Sequence, residues 1–224
     1  MVNLEESYIA SRSDGGPESL VVLLHGRGAN REDLLPLAHS FAEVMPSTAF
    51  HLPNAPVPLS GLSGALGNFE WFKMDGTNDP ETEMLRVEVI VNEYLDSLLS
   101  RYALDSSRCV LLGFSQGAMV SLHAGPRRQV ELGGILGFSG AIISADNLRQ
   151  GIASKPPIAL IHGDMDPVVP VRASQIASDL LLELGIVTEL HVLPGLGHSI
   201  DRRGIDIAIR FMLPILDLSE PKAL

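Results

Sequence analysis

The order of apolar and amphipathic segments along this chain predicts an α/β fold, and three observations carry the prediction. Short apolar runs alternate with longer segments of helical period from about residue 20 to residue 213. Several of the runs are continuous, as strands of a parallel sheet covered on both faces must be. One of them, Cys109-Val110-Leu111-Leu112, leads straight into Gly113-Phe114-Ser115-Gln116-Gly117, a G-x-S-x-G pattern placed between a strand and a helix. With 224 residues and 46% hydrophobic content the chain can bury one substantial core, so a single domain over residues 1–224 is expected.

Taken in order, strands are expected at 20–24, 48–52, 109–113, 134–138, 157–162 and 187–193, with helices at about 30–45, 81–101, 116–124, 171–184 and 202–213. The first strand ends in the glycine turn His25-Gly26-Arg27-Gly28, before a helix that Asn30 is suited to cap. The helix over 81–101 has the clearest stripe: Met84, Val87, Val91, Tyr94, Leu95, Leu98 and Leu99 recur at three-to-four spacing and belong to a core face. The last strand alternates (Thr188-Glu189-Leu190-His191-Val192-Leu193), as a half-buried strand does. One segment, 52–80, is irregular, with Pro53, Pro56, Pro58, Gly61, Gly64 and Gly67. A loop this long in a compact domain is usually functional. Its apolar members Leu59, Leu62, Leu66, Trp71 and Phe72, together with Val168, are candidate walls and cover of a substrate pocket. For Trp71 and Phe72, anchoring the loop to the core is the competing reading.

The serine pattern has a physical rationale. A serine that turns sharply from strand to helix holds a strained backbone conformation, and side chains at Gly113 and Gly117 would collide there. The turn lifts Oγ at the carboxyl edge of the sheet and puts the next N–H at a helix N-terminus, where negative charge is stabilised. A nucleophilic serine then needs a base, which follows it in the order Ser, Asp or Glu, His. Of seven histidines, His162, His191 and His198 follow Ser115 beyond its own helix. His191 lies within the alternating strand, and His162 ends an apolar strand where a histidine supports a turn. His198 lies in the glycine-rich loop Pro194-Gly195-Leu196-Gly197-His198-Ser199, between a strand and the final helix, where a side chain can reach another strand's end. It is the candidate base.

The acid is expected on the loop Gly163-Asp164-Met165-Asp166-Pro167-Val168-Val169-Pro170. Asp164 and Asp166 both remain open at this level; Asp164 suits a turn beside glycine, and Asp166 is held extended by Pro167. Either carboxylate would fix the imidazole tautomer and stabilise the imidazolium. The glycines around Arg27 let its backbone N–H turn toward the site, and with the N–H of Gln116 this gives two donors for an oxyanion. The same turn lacks the third glycine and the acidic residue of a dinucleotide fingerprint, so a nucleotide cofactor is the weaker reading.

From Val21 to about Pro214 the sequence resembles the phospholipase/carboxylesterase family of α/β-hydrolases, which includes bacterial carboxylesterases and acyl-protein thioesterases. The resemblance is carried by ordered blocks: Leu24-His25-Gly26-Arg27-Gly28, Pro53-Asn54-Ala55-Pro56, Trp71-Phe72, Gly113 to Ala118, Ser139-Gly140, His162 to Pro170, and Gly197-His198. It implies an α/β-hydrolase fold, a mostly parallel twisted sheet with helices on both faces. It also implies Ser115 as nucleophile, Asp166 as acid, His198 as base, and the N–H groups of Arg27 and Gln116 as oxyanion donors, with no cofactor and no metal. The family commonly has leucine where this chain has Arg27, so the resemblance leaves long-chain acyl specificity open.

The remaining composition narrows the function. The net charge of −11, with acidic residues from Asp75 to Asp96, argues against nucleic acid and against anionic membrane surfaces. The N-terminus reads Met1-Val2-Asn3-Leu4-Glu5-Glu6 and has neither the basic region nor the apolar stretch of a signal peptide. No run has the length of a membrane span. Cys109 is the only cysteine, so no internal disulfide forms, and a cytoplasmic setting is expected. The expected function is hydrolysis of small-to-medium carboxylic esters through an acyl-enzyme, the partner being a small-molecule ester; a homodimer is compatible with this reading. Thioester cleavage on acylated proteins and lysophospholipid cleavage are the alternatives within the class, and a non-catalytic α/β binding protein the alternative outside it.

Overall fold

Strand β2 (Ser19–Leu24) shows how a continuous apolar run serves two cores. Leu20, Val22 and Leu24 face one hydrophobic cluster, and Val21 and Leu23 face another across the sheet. Strand β6 (Cys109–Phe114) repeats the division, with Cys109 and Leu111 on the first face and Val110 and Leu112 on the second. Two-sided burial makes these strands apolar along Leu20–Leu24 and Cys109–Leu112, while the buried Ser19 hydroxyl is paired with that of Thr48. The computed structural model describes residues 4–74, 76 and 79–216. Met1, Val2 and Asn3 of the N-terminus, and Asp75, Thr77 and Asn78 of the acidic and irregular stretch, lie outside the described residues.

The main sheet has seven strands in the order β1-β3-β2-β6-β7-β8-β9, with β1 (Glu6–Ile9), β3 (Thr48–Pro53), β7 (Gly134–Phe138), β8 (Ile158–Gly163) and β9 (Thr188–Leu193) completing it. Every pairing is parallel except that of β1, which runs antiparallel to β3 from Glu6 opposite Pro53 to Ile9 opposite Phe50. The six strands expected are all present, and β1 is additional. Its short sequence, Glu6-Ser7-Tyr8-Ile9, has no decisive apolar pattern; the Glu6 carboxylate fixes it by accepting from His51 Nδ1 at 2.8 Å and from the Tyr94 hydroxyl.

Helices α1 (Leu35–Ala42) and α7 (Arg202–Leu216) cover one face with Leu37, Phe41, Ile207 and Met212. The other face is covered by α3 (Pro80–Tyr102), α4 (Gln116–Arg127) and α6 (Arg172–Glu183). The α3 stripe is buried as expected, and its first turn is capped by Asp79, whose carboxylate accepts from the Thr82 amide. Helix α1 begins five residues later than expected. Asn30 Oδ1 accepts from the Glu32 amide and Asp33 Oδ2 from the Asn30 amide, which makes a turn there, and Pro36 marks the first helical turn. A short helix α5 (Ala145–Gly151) was not expected from the sequence. Within the 52–80 segment, residues 57–70 are more ordered than their composition implies: strands β4 (Val57–Pro58) and β5 (Phe69–Glu70) pair antiparallel, with the one-turn helix α2 (Gly61–Ala65) between them. Among the described residues no helix is long and apolar enough to cross a membrane.

Candidate active site

Ser115 sits between β6 and α4 at φ 54° and ψ −116°, a conformation that L side chains rarely adopt. Strain of this kind costs on the order of 1–3 kcal/mol and persists where surrounding bonds hold it. Here the Ser115 amide donates to Phe138 O at 2.8 Å, and Ser115 O accepts from the Met119 amide at 3.1 Å. The flanking glycines are required by close approach: a Cβ on Gly113 would lie 2.2 Å from the Gly117 carbonyl carbon, and one on Gly117 would lie 2.1 Å from Leu24 O.

The loop after β9 carries His198 to this serine, with Nε2 3.0 Å from Ser115 Oγ. The other ring nitrogen, Nδ1, is 2.7 Å from Asp166 Oδ2 on the loop after β8. Asp166 Oδ1 accepts from the amides of Val168 and Val169 at 2.8 and 2.9 Å, so the carboxylate is held at both oxygens. Burial pushes its pKa up, but the bonds from His198 and the two amides outweigh burial and leave it below the usual carboxylate value. Asp166 is therefore an anion across the neutral range, bonded to the ring nitrogen facing away from the serine. Asp164 takes the turn role: its Oδ1 accepts from the Gly195 amide at 2.6 Å and ties the aspartate loop to the histidine loop.

His162 stands behind the aspartate. Its buried ring places Nε2 3.3 Å from Asp166 Oδ2 and 2.8 Å from Val169 O, with Nδ1 2.7 Å from Ser174 Oγ. From sequence His162 is a turn-supporting residue. The structure extends that role to the loop that carries the aspartate, a link between β8 and α6 that no local pattern announces.

The Arg27 loop is stitched to the β4–β5 hairpin. Gly28 N–H donates to Phe69 O, and Phe69 N–H to Ala29 O, both at 2.9 Å, while Arg27 Nε donates to Glu70 Oε2 at 2.7 Å. Trp71 Nε1 donates to His25 O at 2.8 Å. His25 is itself fixed: burial lowers its pKa, the Ala55 amide donates to Nε2 at 3.0 Å, and the ring is thus neutral with Nδ1–H bonded to Gly26 O at 2.7 Å. Gln116 closes the clamp, its Oε1 accepting from the Trp71 amide and its Nε2 donating to Phe72 O. The Gln116 amide opens α4, where no carbonyl one turn earlier is available to it. Among the described residues no acceptor takes the Arg27 amide.

A sequence model of the phospholipase/carboxylesterase family matches residues 5–215, nearly the whole chain. The chain belongs to the phospholipase/carboxylesterase family. As a family member it is a carboxylic ester hydrolase of the α/β-hydrolase class, as the resemblance implied. It is 25% identical over 217 residues to esterase YpfH of Escherichia coli (strain K12), covering 93% of this chain and 89% of that one. To acyl-protein thioesterase 1 of Gibberella zeae it is 31% identical over 198 residues, covering 80% and 83%. The solved structure of esterase PE8 superposes with a TM-score of 0.89 at 38% identity, covering 96% of this chain and all of that one.

In this family member the six residues expected to wall the pocket do not form one wall. Trp71 and Phe72 are 0% and 1% exposed and belong to the core beneath α3, so the anchoring reading describes their positions. Leu62 and Leu66 on and after α2 are 76% and 68% exposed, and Val168 is also exposed. Leu59 is half-buried beside Gly28. Among the described residues no group of three or more His, Cys, Asp or Glu side chains is disposed to hold a metal ion. Cys109 is buried and its thiol is pushed up to about 12 by desolvation, which fits a packing role.

Proposed function

We propose that this enzyme hydrolyses small-to-medium carboxylic esters by a two-step acyl-enzyme mechanism on Ser115. The observation that carries the reading is the continuous chain from Ser115 Oγ through His198 to Asp166, at 3.0 and 2.7 Å. As Oγ attacks the acyl carbonyl, His198 Nε2 takes its proton and Asp166 stabilises the imidazolium. The amides of Arg27 and Gln116 receive the developing oxyanion; a donor of this kind is worth about 3 kcal/mol. The proton then passes to the departing alcohol, and water releases the acid by the same steps in reverse. Leu59, Leu62, Leu66 and Val168 are the apolar groups around the mouth that an acyl chain would meet, whereas Trp71 and Phe72 act by holding the oxyanion loop. The setting consistent with this chemistry and with a lone buried cysteine is cytoplasmic.

Thioester cleavage is the second reading, favoured by the similarity to acyl-protein thioesterase 1 of Gibberella zeae. Labelling with a fluorophosphonate, with and without Ser115→Ala, tests the shared mechanism: an adduct on Ser115 that is lost in the variant is expected. No adduct on folded wild-type protein would overturn it. An acyl-length series of oxygen and sulfur esters separates the two readings, since a sharp optimum at long chains on sulfur only would favour the thioesterase.

A further inference from the structure

A cavity of about 500 Å³ opens beside the triad, on the face of the sheet covered by α1 and α7. Its walls include Leu34 and Leu37 from the α1 side, Ile200 and Ile205 from the α7 side, and Phe114 and His198 from the catalytic edge. The Phe114 ring lies 4.9 Å from the His198 ring between centroids, and a Cβ on Gly26, also in the wall, would lie 3.3 Å from Ser115 Cβ. The cavity is therefore next to the reacting atoms, and Leu59, Leu62, Leu66 and Val168 are not among its wall residues.

We infer that this cavity binds the alcohol part of the ester, and that the alcohol it takes is uncharged and apolar. The inference rests on the acyl-enzyme reading above. In acylation the Ser115 Oγ–carbonyl carbon bond forms, the bond from that carbon to the alcohol oxygen breaks, and the proton removed from Oγ goes through His198 Nε2 to the leaving oxygen. That oxygen must come within hydrogen-bond reach of Nε2, so whatever it carries extends along the His198 side of the serine. There the surface continues through Ser199 and Ile200 into the apolar cavity. Two of the polar side chains in the wall are already engaged: Ser40 Oγ donates to Pro36 O, and Asp33 Oδ2 accepts from the Asn30 amide. Besides the histidines, Asp33 is the only charged residue among the described residues of the wall, so no Lys or Arg among them complements a phosphate or carboxylate on the alcohol.

The test fills the cavity from opposite sides, with Ser40→Phe on α1 and Ile205→Trp on α7, both at positions with room toward solvent. For each folded variant and the wild type, kcat/KM is measured on methyl and hexyl acetate, and on methyl acetate and methyl hexanoate. The hexyl-to-methyl alcohol ratio is expected to fall about tenfold in both variants, with the hexanoate-to-acetate ratio within about twofold of wild type. A fall in the acyl ratio would assign the cavity to the acid part and overturn the inference, as would unchanged ratios in both variants. Failure of the underlying mechanism reads differently: wild-type enzyme would then show no fluorophosphonate adduct on Ser115.

Discussion

Arg27 Nε donates to Glu70 Oε2 at 2.7 Å, joining the Arg27 loop to β5, with the Glu70 side chain 7% exposed and that of Arg27 46%. The pair lets a cation occupy this position, because a buried carboxylate lies beside it. Arg27→Leu leaves that carboxylate without its partner, and a loss of about 1–3 kcal/mol in urea unfolding is expected. The double change Arg27→Leu with Glu70→Leu should recover part of this loss, because the unpaired charge is gone. The main-chain donor at residue 27 survives either change. With the guanidinium removed from the mouth, the ratio of kcat/KM for octanoyl over acetyl esters should rise. An unchanged ratio would mean that the acyl path does not pass Arg27.

Gly117 makes the elbow's tightest demand. A Cβ there would meet main-chain atoms of Leu24 and His25 at 2.1 to 2.7 Å, and a backbone carbonyl cannot rotate away as a side-chain tip can. Gly117→Ala must push β2 from α4, at a cost of about 2 kcal/mol or more from overpacking. Because Leu24 and His25 lead directly into the Arg27 loop, the displacement also moves the Arg27 amide, the proposed oxyanion donor. The expected outcome is a lowered melting temperature together with a fall in kcat of at least about tenfold on a short-chain ester.

Trp71 separates anchoring from substrate contact. Trp71→Phe keeps most of the buried area but loses the indole N–H bond to His25 O, whose cost is about 1–3 kcal/mol if the carbonyl stays buried and unpaired. If the side chain acts only by holding the loop, stability and kcat fall together and the acyl-length optimum does not move. A shifted optimum in this variant would restore Trp71 to the pocket wall. Guanidinium-free urea melts and an acyl-length series on the same preparation decide between them.

The candidate constellation of Ser115, Asp166 and His198 was legible because each of its members sits in a local pattern with a backbone reason. Gly113 and Gly117 bracket a strained serine, Pro167 extends Asp166, and the glycines before His198 form a loop at a strand end. What was not legible depends on contacts distant in sequence. The Glu6 carboxylate that fixes β1 is bonded by His51 and Tyr94, which lie 45 and 88 residues away. Trp71 is in the core because Gln116 and His25 hold it there, and a proline- and glycine-rich neighbourhood gives no sign of that. The α1–α7 cavity is shaped by packing between helices whose own periodicity says only that each has an apolar face.

Asp166→Asn tests how the imidazole is oriented. Oδ1 of the aspartate accepts from two amides, so an asparagine there keeps its carbonyl oxygen at that position and turns its NH2 toward His198 Nδ1. The imidazole must then accept at Nδ1 and carry its proton on Nε2, facing Ser115 with nothing to receive the serine proton. A fall in kcat of about 10⁴ is expected, with fluorophosphonate labelling slowed in parallel.

Acid stability has a separate source at the sheet edge. Burial pushes the Glu6 carboxyl up, but bonds from His51 and Tyr94, with Arg101 nearby, prevail and hold it down at about 2 against an ordinary value of 4.5. A folded-state pKa below the unfolded one means that the unfolded chain binds the proton first. Glu6 therefore contributes its full stabilisation above about pH 4.5, and the contribution drains away as pH falls from there toward 2. Glu6→Gln removes this titration: stability at pH 7 should drop, and the slope of unfolding free energy against pH should flatten between about 4.5 and 2. Ester hydrolysis at pH 7 by the folded fraction should change little, since β1 lies at the far edge of the sheet from β8 and β9. Urea unfolding across that pH range measures the slope; an unaltered slope in the variant would mean that other carboxylates govern acid unfolding and that the Glu6 cluster is energetically idle.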